Sequence, residues 1–231
     1  IDVSEHQGNI NWQQVKASGQ VDFAIIRAGY GRETYQKDKF FEQNYAGAKA
    51  QNIPIGIYQY SYADSVADAE REAETCLTWL NGRAVDSYVI FDFEESKIID
   101  KLNKDDIPDN DITPDVLSQM AIAWCKKIEA AGYTPMIYVN PDFITNKYNY
   151  KMLKESGYDI FELIGFEVKD QVSEETGEVA DVADYSGNVV LTVSIMNKEI
   201  LLPLSENYIC EIDFEHSRLL VQIPRELVEL N

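Results

Sequence analysis

Basic residues are scarce in this chain: 20 Lys and Arg stand against 40 Asp and Glu, a formal net charge of −20. Such a surface has no cationic footprint for phosphate, which excludes nucleic acid as a partner. The same sign repels anionic membranes at long range, and no apolar run approaches the roughly 18 residues of a bilayer-spanning helix. Histidine is confined to His6 and His216, and cysteine to Cys76, Cys125 and Cys210. Neither type recurs at ligand spacing, so no metal and no cofactor are expected. The odd, scattered cysteines lie in apolar helix and strand patterns and read as buried free thiols. The chain opens on Ile1-Asp2-Val3, strand-like and without Met, as expected of a mature or trimmed chain.

What is present is globular. Hydrophobic residues make up 45% and aromatics 11% of 231 residues, enough for one or two domains with a buried core. The charge is unevenly spread: residues 1–160 carry 16 basic and 25 acidic side chains, and the remaining 71 carry 4 and 15. The C-terminal part is the more acidic per residue, which suits a basic protein partner or serves solubility alone.

Apolar runs and helical patterns alternate through the first 160 residues. Strands are expected at Ile1–Val3, Phe23–Arg27, Ile53–Tyr60, Tyr88–Phe93, Met136–Val139 and Tyr158–Phe161. Helices are expected at Trp12–Ala17, Lys39–Gln51, Ala67–Leu80, Pro114–Ala131 and Pro141–Glu155. Thr113-Pro114 and Gly132 punctuate one of them as cap and stop. Alternating β and α units imply a parallel sheet with helices outside it, and the polar stretch Ser96–Asp111 reads as a long loop. From Leu163 onward period-2 alternation takes over, with strands expected at Ile164–Lys169, Glu178–Asp184, Val189–Met196, Glu199–Pro203, Tyr208–Phe214 and Leu219–Ile223. Tight-turn residues at Glu175-Thr176-Gly177, Ser186-Gly187-Asn188, Met196-Asn197-Lys198 and Glu215-His216-Ser217 separate them. Such spacing indicates a small barrel or sandwich, closed by a short helix over residues 225–230.

The sharpest chemical signal is Tyr88-Val89-Ile90-Phe91-Asp92-Phe93-Glu94-Glu95, an apolar strand that ends in carboxylates. Residues two apart share a face, so Asp92 and Glu94 are expected to project together, opposite Phe91 and Phe93. The C-terminal mouth of a parallel barrel is where catalytic groups sit, and two close carboxylates repel, letting one keep its proton as a general acid must. Asp2, in the short first strand, is placed to face the same pair. Arg27 ends the second strand, and Tyr58 and Tyr60 end the third; such groups either pack or stack and hydrogen-bond sugar rings.

These residues carry a resemblance. Asp2-Val3-Ser4-Glu5-His6-Gln7-Gly8, Ile10-Asn11-Trp12 and Phe23-Ala24-Ile25-Ile26-Arg27-Ala28-Gly29-Tyr30-Gly31 resemble glycoside hydrolase family 25, lysozymes that cleave between N-acetylmuramic acid and N-acetylglucosamine in peptidoglycan. The spaced Asp38, Phe41, Asn44 and Ala48 fit too, as do Gly56-Ile57-Tyr58-Gln59-Tyr60-Ser61, Asp92-Phe93-Glu94 and Pro135-Met136-Ile137-Tyr138. The resemblance implies Glu94 as general acid, Asp92 assisting by orienting the acetamido group, Asp2 lining the cleft, and Arg27, Tyr58, Tyr60 and Tyr138 binding a peptidoglycan glycan strand. The family's later strands, with a Trp-Gln-Tyr-type segment and a late Asp, have no counterpart here: the tryptophans are Trp12, Trp79 and Trp124.

A second resemblance follows. Leu163-Ile164-Gly165-Phe166-Glu167-Val168, Gly177-Glu178-Val179-Ala180-Asp181-Val182, Glu199-Ile200-Leu201-Leu202-Pro203 and Pro224-Arg225-Glu226-Leu227-Val228-Glu229-Leu230 are similar to the C-terminal PRC-barrel half of the ribosome maturation factor RimM. It implies binding to a basic small-subunit ribosomal protein, without chemistry. The first part implies an extracellular or cell-wall setting and the second a cytoplasmic one. The expected architecture is an α/β, TIM-like (β/α) barrel of about six strands over 1–160, incomplete, joined to a small all-β barrel over 161–231, as in a fusion or chimera. Ile160, Phe161, Leu163 and Ile164 are expected at the joint.

Overall fold

The computed structural model describes residues 1–102, 111–139, 143, 146–161, 163–185, 188–195, 197–205, 207–213, 217–225 and 227. These fall into two compact units, one of Ile1–Val139 with Phe143–Phe161, the other of the described residues from Leu163 onward.

In the first unit six strands form one sheet in chain order: β1 (Asp2–Val3), β2 (Ala24–Tyr30), β3 (Ile55–Tyr60), β4 (Tyr88–Asp92), β5 (Thr134–Tyr138) and β6 (Asp159–Phe161). Every pairing is parallel. The helices between them are α1 (Trp12–Ser18), α2 (Phe41–Ala50), α3 (Val66–Leu80), α4 (Ser96–Leu102), α5 (Pro114–Ala130) and α6 (Tyr150–Ser156). Their starts are written in the sequence: the side chains of Asn11, Ser65, Thr113 and Asn149 each accept a backbone N–H of the first turn, satisfying donors that a helix start leaves open.

One face of the sheet is sealed by helices. Phe91 is fully buried against Trp124 of α5, ring centroids 5.5 Å apart. The Trp124 indole N–H donates to Gln59 Oε1 (2.8 Å), and Gln59 Nε2 donates to the carbonyl of Gly31 (2.8 Å), so a buried amide on β3 is satisfied at both ends. At Gly29 any Cβ would stand 2.6 Å from the Trp79 ring of α3, which is why the strand carries glycine where the helix approaches.

Three expectations are corrected. The stretch Ser96–Asp111 is not a loop throughout: Ser96–Leu102 is α4, because Ile98, Ile99 and Leu102 recur at helical spacing and Ile99 is buried; residues 103–110 lie outside the described ones. The helix expected over Pro141–Glu155 is not continuous, since Asn149 caps a fresh start at Tyr150; residues 140–142, 144 and 145 lie outside the described ones. Cys76 and Cys125 are buried free thiols, but Cys210 is exposed, because it is the extra residue where the register shifts between Ile209 and Glu211 and so falls outside the alternation that fills the core. The side chains of Ile160 and Phe161, the turn residues Ser186, Gly187, Met196, Glu215 and His216, and most of the terminal helix also lie outside the described residues.

The second unit has the strands β7 (Glu167–Asp170), β8 (Thr176–Tyr185), β9 (Asn188–Ile195), β10 (Lys198–Pro203), β11 (Ile209–Asp213) and β12 (Arg218–Val221). They form a separate six-stranded sheet in the order β10-β9-β8-β7-β12-β11. All pairings are antiparallel except β12 with β7. Alternate residues of these strands fill one core: Val168, Val179, Leu191, Val193, Ile200, Leu202, Leu219 and Val221 are all buried, as the period of two requires.

Buried Asp170 ties this core's ends together. It accepts from Ser173 N–H (2.8 Å), Ser173 Oγ (2.6 Å) and the N–H of Ile223 (2.9 Å). Burial pushes its pKa up, but the hydrogen bonds from Ser173 and the backbone outweigh that and hold the carboxyl below the usual range. A depressed folded-state pKa means that the contribution is complete above about pH 4, the unfolded value, and is lost as pH falls through the folded value. Asp170→Ala is expected to destabilise by about 2 kcal/mol at pH 7, with the gap to wild type closing on acidification; urea unfolding at both ends of that range checks it.

Candidate active site

Paired residues of adjacent parallel strands point to the same face, so the register decides which side chains meet. Asp2 pairs with Ile25, two before Arg27; Arg27 pairs with Tyr58; Tyr60 pairs with Asp92; Asp92 pairs with Tyr138. Asp2, Arg27, Tyr58, Tyr60, Asp92 and Tyr138 therefore share one face, opposite the face that α5 seals through Phe91. Glu94 follows two residues past Asp92, half-buried where the strand gives way to α4.

Asp92 is the unusual group. It is 9% exposed, and its Oδ1 is buried without a hydrogen-bond partner among the described residues. Burial, then the charges of Glu94 and Asp2, hold its carboxyl well above the ordinary range, with Arg27 pulling the other way. Asp2 is also raised, first by desolvation, against the chain-terminal ammonium, the Tyr58 hydroxyl and Arg27. Tyr58 and Tyr60 are raised too, chiefly by burial, then by Asp2 and Glu95 respectively; both stay neutral hydrogen-bonding phenols. The Tyr60 hydroxyl donates to Glu95 Oε1 (3.0 Å).

Arg27 is committed to its surroundings. Its Nε donates to Asp38 Oδ2 (2.8 Å) and its Nη2 to Glu5 Oε1 (3.0 Å), and its guanidinium lies 5.7 Å from the centroid of Tyr30. Asp38 also accepts from the N–H of Glu5 (2.8 Å), so this buried pair fixes the turn after β1 and with it the place of Asp2.

Three residues had not been singled out. Tyr148, before α6, is buried with its hydroxyl unpartnered among the described residues; after burial, the charge of Asp92 is the largest influence raising its pKa, which places it near the carboxylates. Glu95 was visible only as an extra acid beside Glu94. Glu72 on α3 is 1% exposed and accepts from Ser61 Oγ (2.5 Å) and from the N–H of Tyr62 (2.9 Å). Burial pushes its pKa up to about 7 despite those two donors. A carboxylate on the apolar stripe Ala69, Ala73, Cys76 and Leu80 was the signal that could have revealed it. No cluster of three or more His, Cys, Asp or Glu suited to a metal ion occurs among the described residues.

Comparison with known proteins now adds to this geometry. The curated ribosome maturation factor RimM of Fervidobacterium nodosum is 32% identical over 92 residues, 40% of this chain and 49% of that protein. Lysozyme M1 of Streptomyces globisporus is 44% identical over 61 residues, 26% of this chain and 20% of that protein. The chain thus spans half or less of the length of these relatives. Among solved structures, the modular autolysin LytC from Streptococcus pneumoniae aligns with a TM-score of 0.55 at 22% identity, covering 84% of this chain and 45% of that one, a likeness of fold. The RimM PRC barrel domain matches residues 160–227. Residues 1–161, well over half of the chain, match glycosyl hydrolases family 25, and the chain belongs to that family.

Proposed function

We propose that this chain is a lysozyme-type glycoside hydrolase acting on the β-1,4 bonds of peptidoglycan, and that its six parallel strands are part of a (β/α) barrel. The observation that carries the reading is Asp92, a buried carboxyl with an unpartnered oxygen, beside Glu94 and flanked in register by Tyr60 and Tyr138. A buried acceptor left open in this way is costly and recurs where a ligand completes it. In the proposed reaction Glu94 gives a proton to the leaving glycosidic oxygen as its bond to the anomeric carbon breaks; a water oxygen ends on that carbon, and the proton which the water sheds returns to Glu94. Asp92 Oδ1 accepts the acetamido N–H and holds that group against the anomeric carbon. Tyr58, Tyr60 and Tyr138 contact the sugar rings, and Asp2 lines the same cleft, held in place through Arg27, Asp38 and Glu5. Release of reducing ends from purified cell walls tests the reading, and a chain that releases none overturns it. Since carboxylates alone perform this chemistry, pre-treatment with a chelator is expected to leave the rate unchanged; loss on chelation with recovery on adding zinc would contradict the scheme.

The acidic C-terminal unit supports a second role, binding of a basic protein. Its 15 acidic residues against 4 basic ones and its match to the RimM PRC barrel favour a basic small-subunit ribosomal protein as partner. Pull-down with such proteins in low and high salt separates specific docking from general charge attraction.

A further inference from the structure

Along α3 the side chains of Asp68, Glu72, Thr75 and Trp79 recur at helical spacing on one buried face. Each is tied to a segment that leaves the sheet at the carboxyl end of its strands. Asp68 accepts from Arg32 Nη1 (2.6 Å), Thr75 Oγ1 donates to the carbonyl of Arg32 (2.6 Å), and the Trp79 indole N–H donates to the carbonyl of Thr34 (2.9 Å). Three of the four thus hold the segment after β2. The fourth, Glu72, holds the segment after β3 through Ser61 and Tyr62.

That hold is passed on to Asp92. Fully buried Ser61 donates its N–H to the carbonyl of Asp92 (2.7 Å), just past the point where Tyr60 pairs with Asp92, and its Oγ accepts from the N–H of Ala63 (3.2 Å). A continuous path therefore runs from the Glu72 carboxylate, through the Ser61 hydroxyl and peptide N–H, to the backbone of Asp92. This path asks for an ionised Glu72. The Tyr62 N–H and the Ser61 hydroxyl are both donors, and a carboxylate takes both at once. A proton on Oε1 would face the Tyr62 N–H, and a proton on Oε2 would turn the Ser61 hydroxyl away. Around Glu72 stand Asp68 and Cys76 of its own helix, Arg32, Glu33 and Tyr35 after β2, and Tyr62 and Asp64 after β3. Lys127 of the neighbouring α5 is taken by exposed Glu74. Arg32 is paired with Asp68, so burial prevails and holds the Glu72 pKa at about 7, where a small change of pH changes its charge.

We propose that Glu72 is a positioning residue for Asp92: ionised, it locks Ser61 and Tyr62 together at the end of β3 and so fixes the carbonyl of Asp92; protonated, it frees one of them and lets the end of β4 drift. The proposal rests on the lysozyme-type reading of Asp92 and Glu94. It adds to the titrations of those carboxyls a further one, on α3 and outside their row.

The test sets the full wild-type chain against Glu72→Gln, which keeps the shape of the side chain and, like the protonated acid, offers one acceptor and one donor. On the alkaline side of Glu72, kcat for release of reducing ends from purified cell walls is expected to be roughly 10-fold higher for wild type, with KM little changed; a full ångström of misplacement can cost about 10²-fold. That ratio should fall towards one on the acid side, with its midpoint at about 7. Titrations of Asp2, Asp92 and Glu94 that both proteins share cancel in it. Ser61→Ala should lose as much as Glu72→Gln on the alkaline side, and the double variant no more than either, since groups acting through one contact do not add. Backbone amide NMR follows the same path without activity. In an Asp92→Asn background, which removes the titration of Asp92 itself, the amides of Ser61, Tyr62 and Phe93 should share a shift with a midpoint at about 7 that Glu72→Gln abolishes. A ratio that stays at one or is constant with pH, or a Phe93 amide indifferent to Glu72, overturns the proposal. Shared amide shifts in a chain that lyses no walls sink the hydrolase reading and keep the link from Glu72 to Asp92.

Discussion

Glu94→Gln is expected to slow cell-wall lysis by roughly 10²–10⁴-fold, the usual contribution of a general acid. Glutamine preserves the shape of the side chain and its hydrogen-bonding reach but has no proton to give the departing oxygen. Glu94 is half-buried at the end of a strand, not inside the core, so its thermal midpoint should stay near that of wild type, and the loss should lie in turnover. Asp92→Asn is the instructive companion. Its Oδ1 is buried and open, and an amide can still accept there in one orientation, so its defect should be smaller than that of Glu94→Gln. Equal lysis by wild type and Glu94→Gln would end the assignment of the acid. A wild-type chain that lyses nothing would end the hydrolase reading as a whole.

Trp124→Ala is expected to destabilise the first unit by about 3–5 kcal/mol, the usual range for emptying a large buried aromatic site. Two losses combine there. The cavity opens against fully buried Phe91, and Gln59 Oε1 loses the indole N–H that satisfies it. Because Gln59 also holds the carbonyl of Gly31, the damage should spread to the segment after β2 and be visible as faster amide exchange from Gly31 to Gln36. Trp124→Phe keeps most of the volume and drops only the hydrogen bond, so it should cost about 1–3 kcal/mol. Urea unfolding followed through both variants gives the comparison, and a cost below about 1 kcal/mol for the alanine variant would show that this junction is not a centre of the core.

The sequence made much of this visible because both periodicities are strong. Ile90 and Asp92 fall on one face and Val89 and Phe91 on the other, so the face that Asp92 occupies was legible from the strand's period of two. The Thr113-Pro114 start of α5 and the alternation through Leu191, Val193 and Ile195 were equally plain. What escaped was decided by partners far along the chain. Ser96–Leu102 looked polar because Lys97, Asp100 and Lys101 interrupt the apolar positions that make it helical, and the residues after it are charged. Arg27 read as a ligand-binding group, and nothing in its own neighbourhood announced that Asp38 and Glu5 would take its guanidinium. Glu72 was one acid among 40, distinguished only by sitting where its helix should be apolar. Tyr148 needed the fold itself to bring it near Asp92.

The order of strands has a consequence for how the chain is made. In the first sheet each strand lies beside the one synthesised just before it, so every new βα pair can dock on an edge that already exists, and loop closure remains local. The nascent chain can lengthen its sheet as it leaves the ribosome, as expected of domains that fold during synthesis. The second unit does so only in part: β7, β8, β9 and β10 pair in chain order, but its parallel pair joins Glu167 to Arg218, a closure 51 residues long, so β7 keeps one edge unpaired until β12 arrives. The two halves of one polypeptide thus mature on different schedules: the first is extended at its growing edge throughout, and the second keeps an inner edge waiting for a strand made much later.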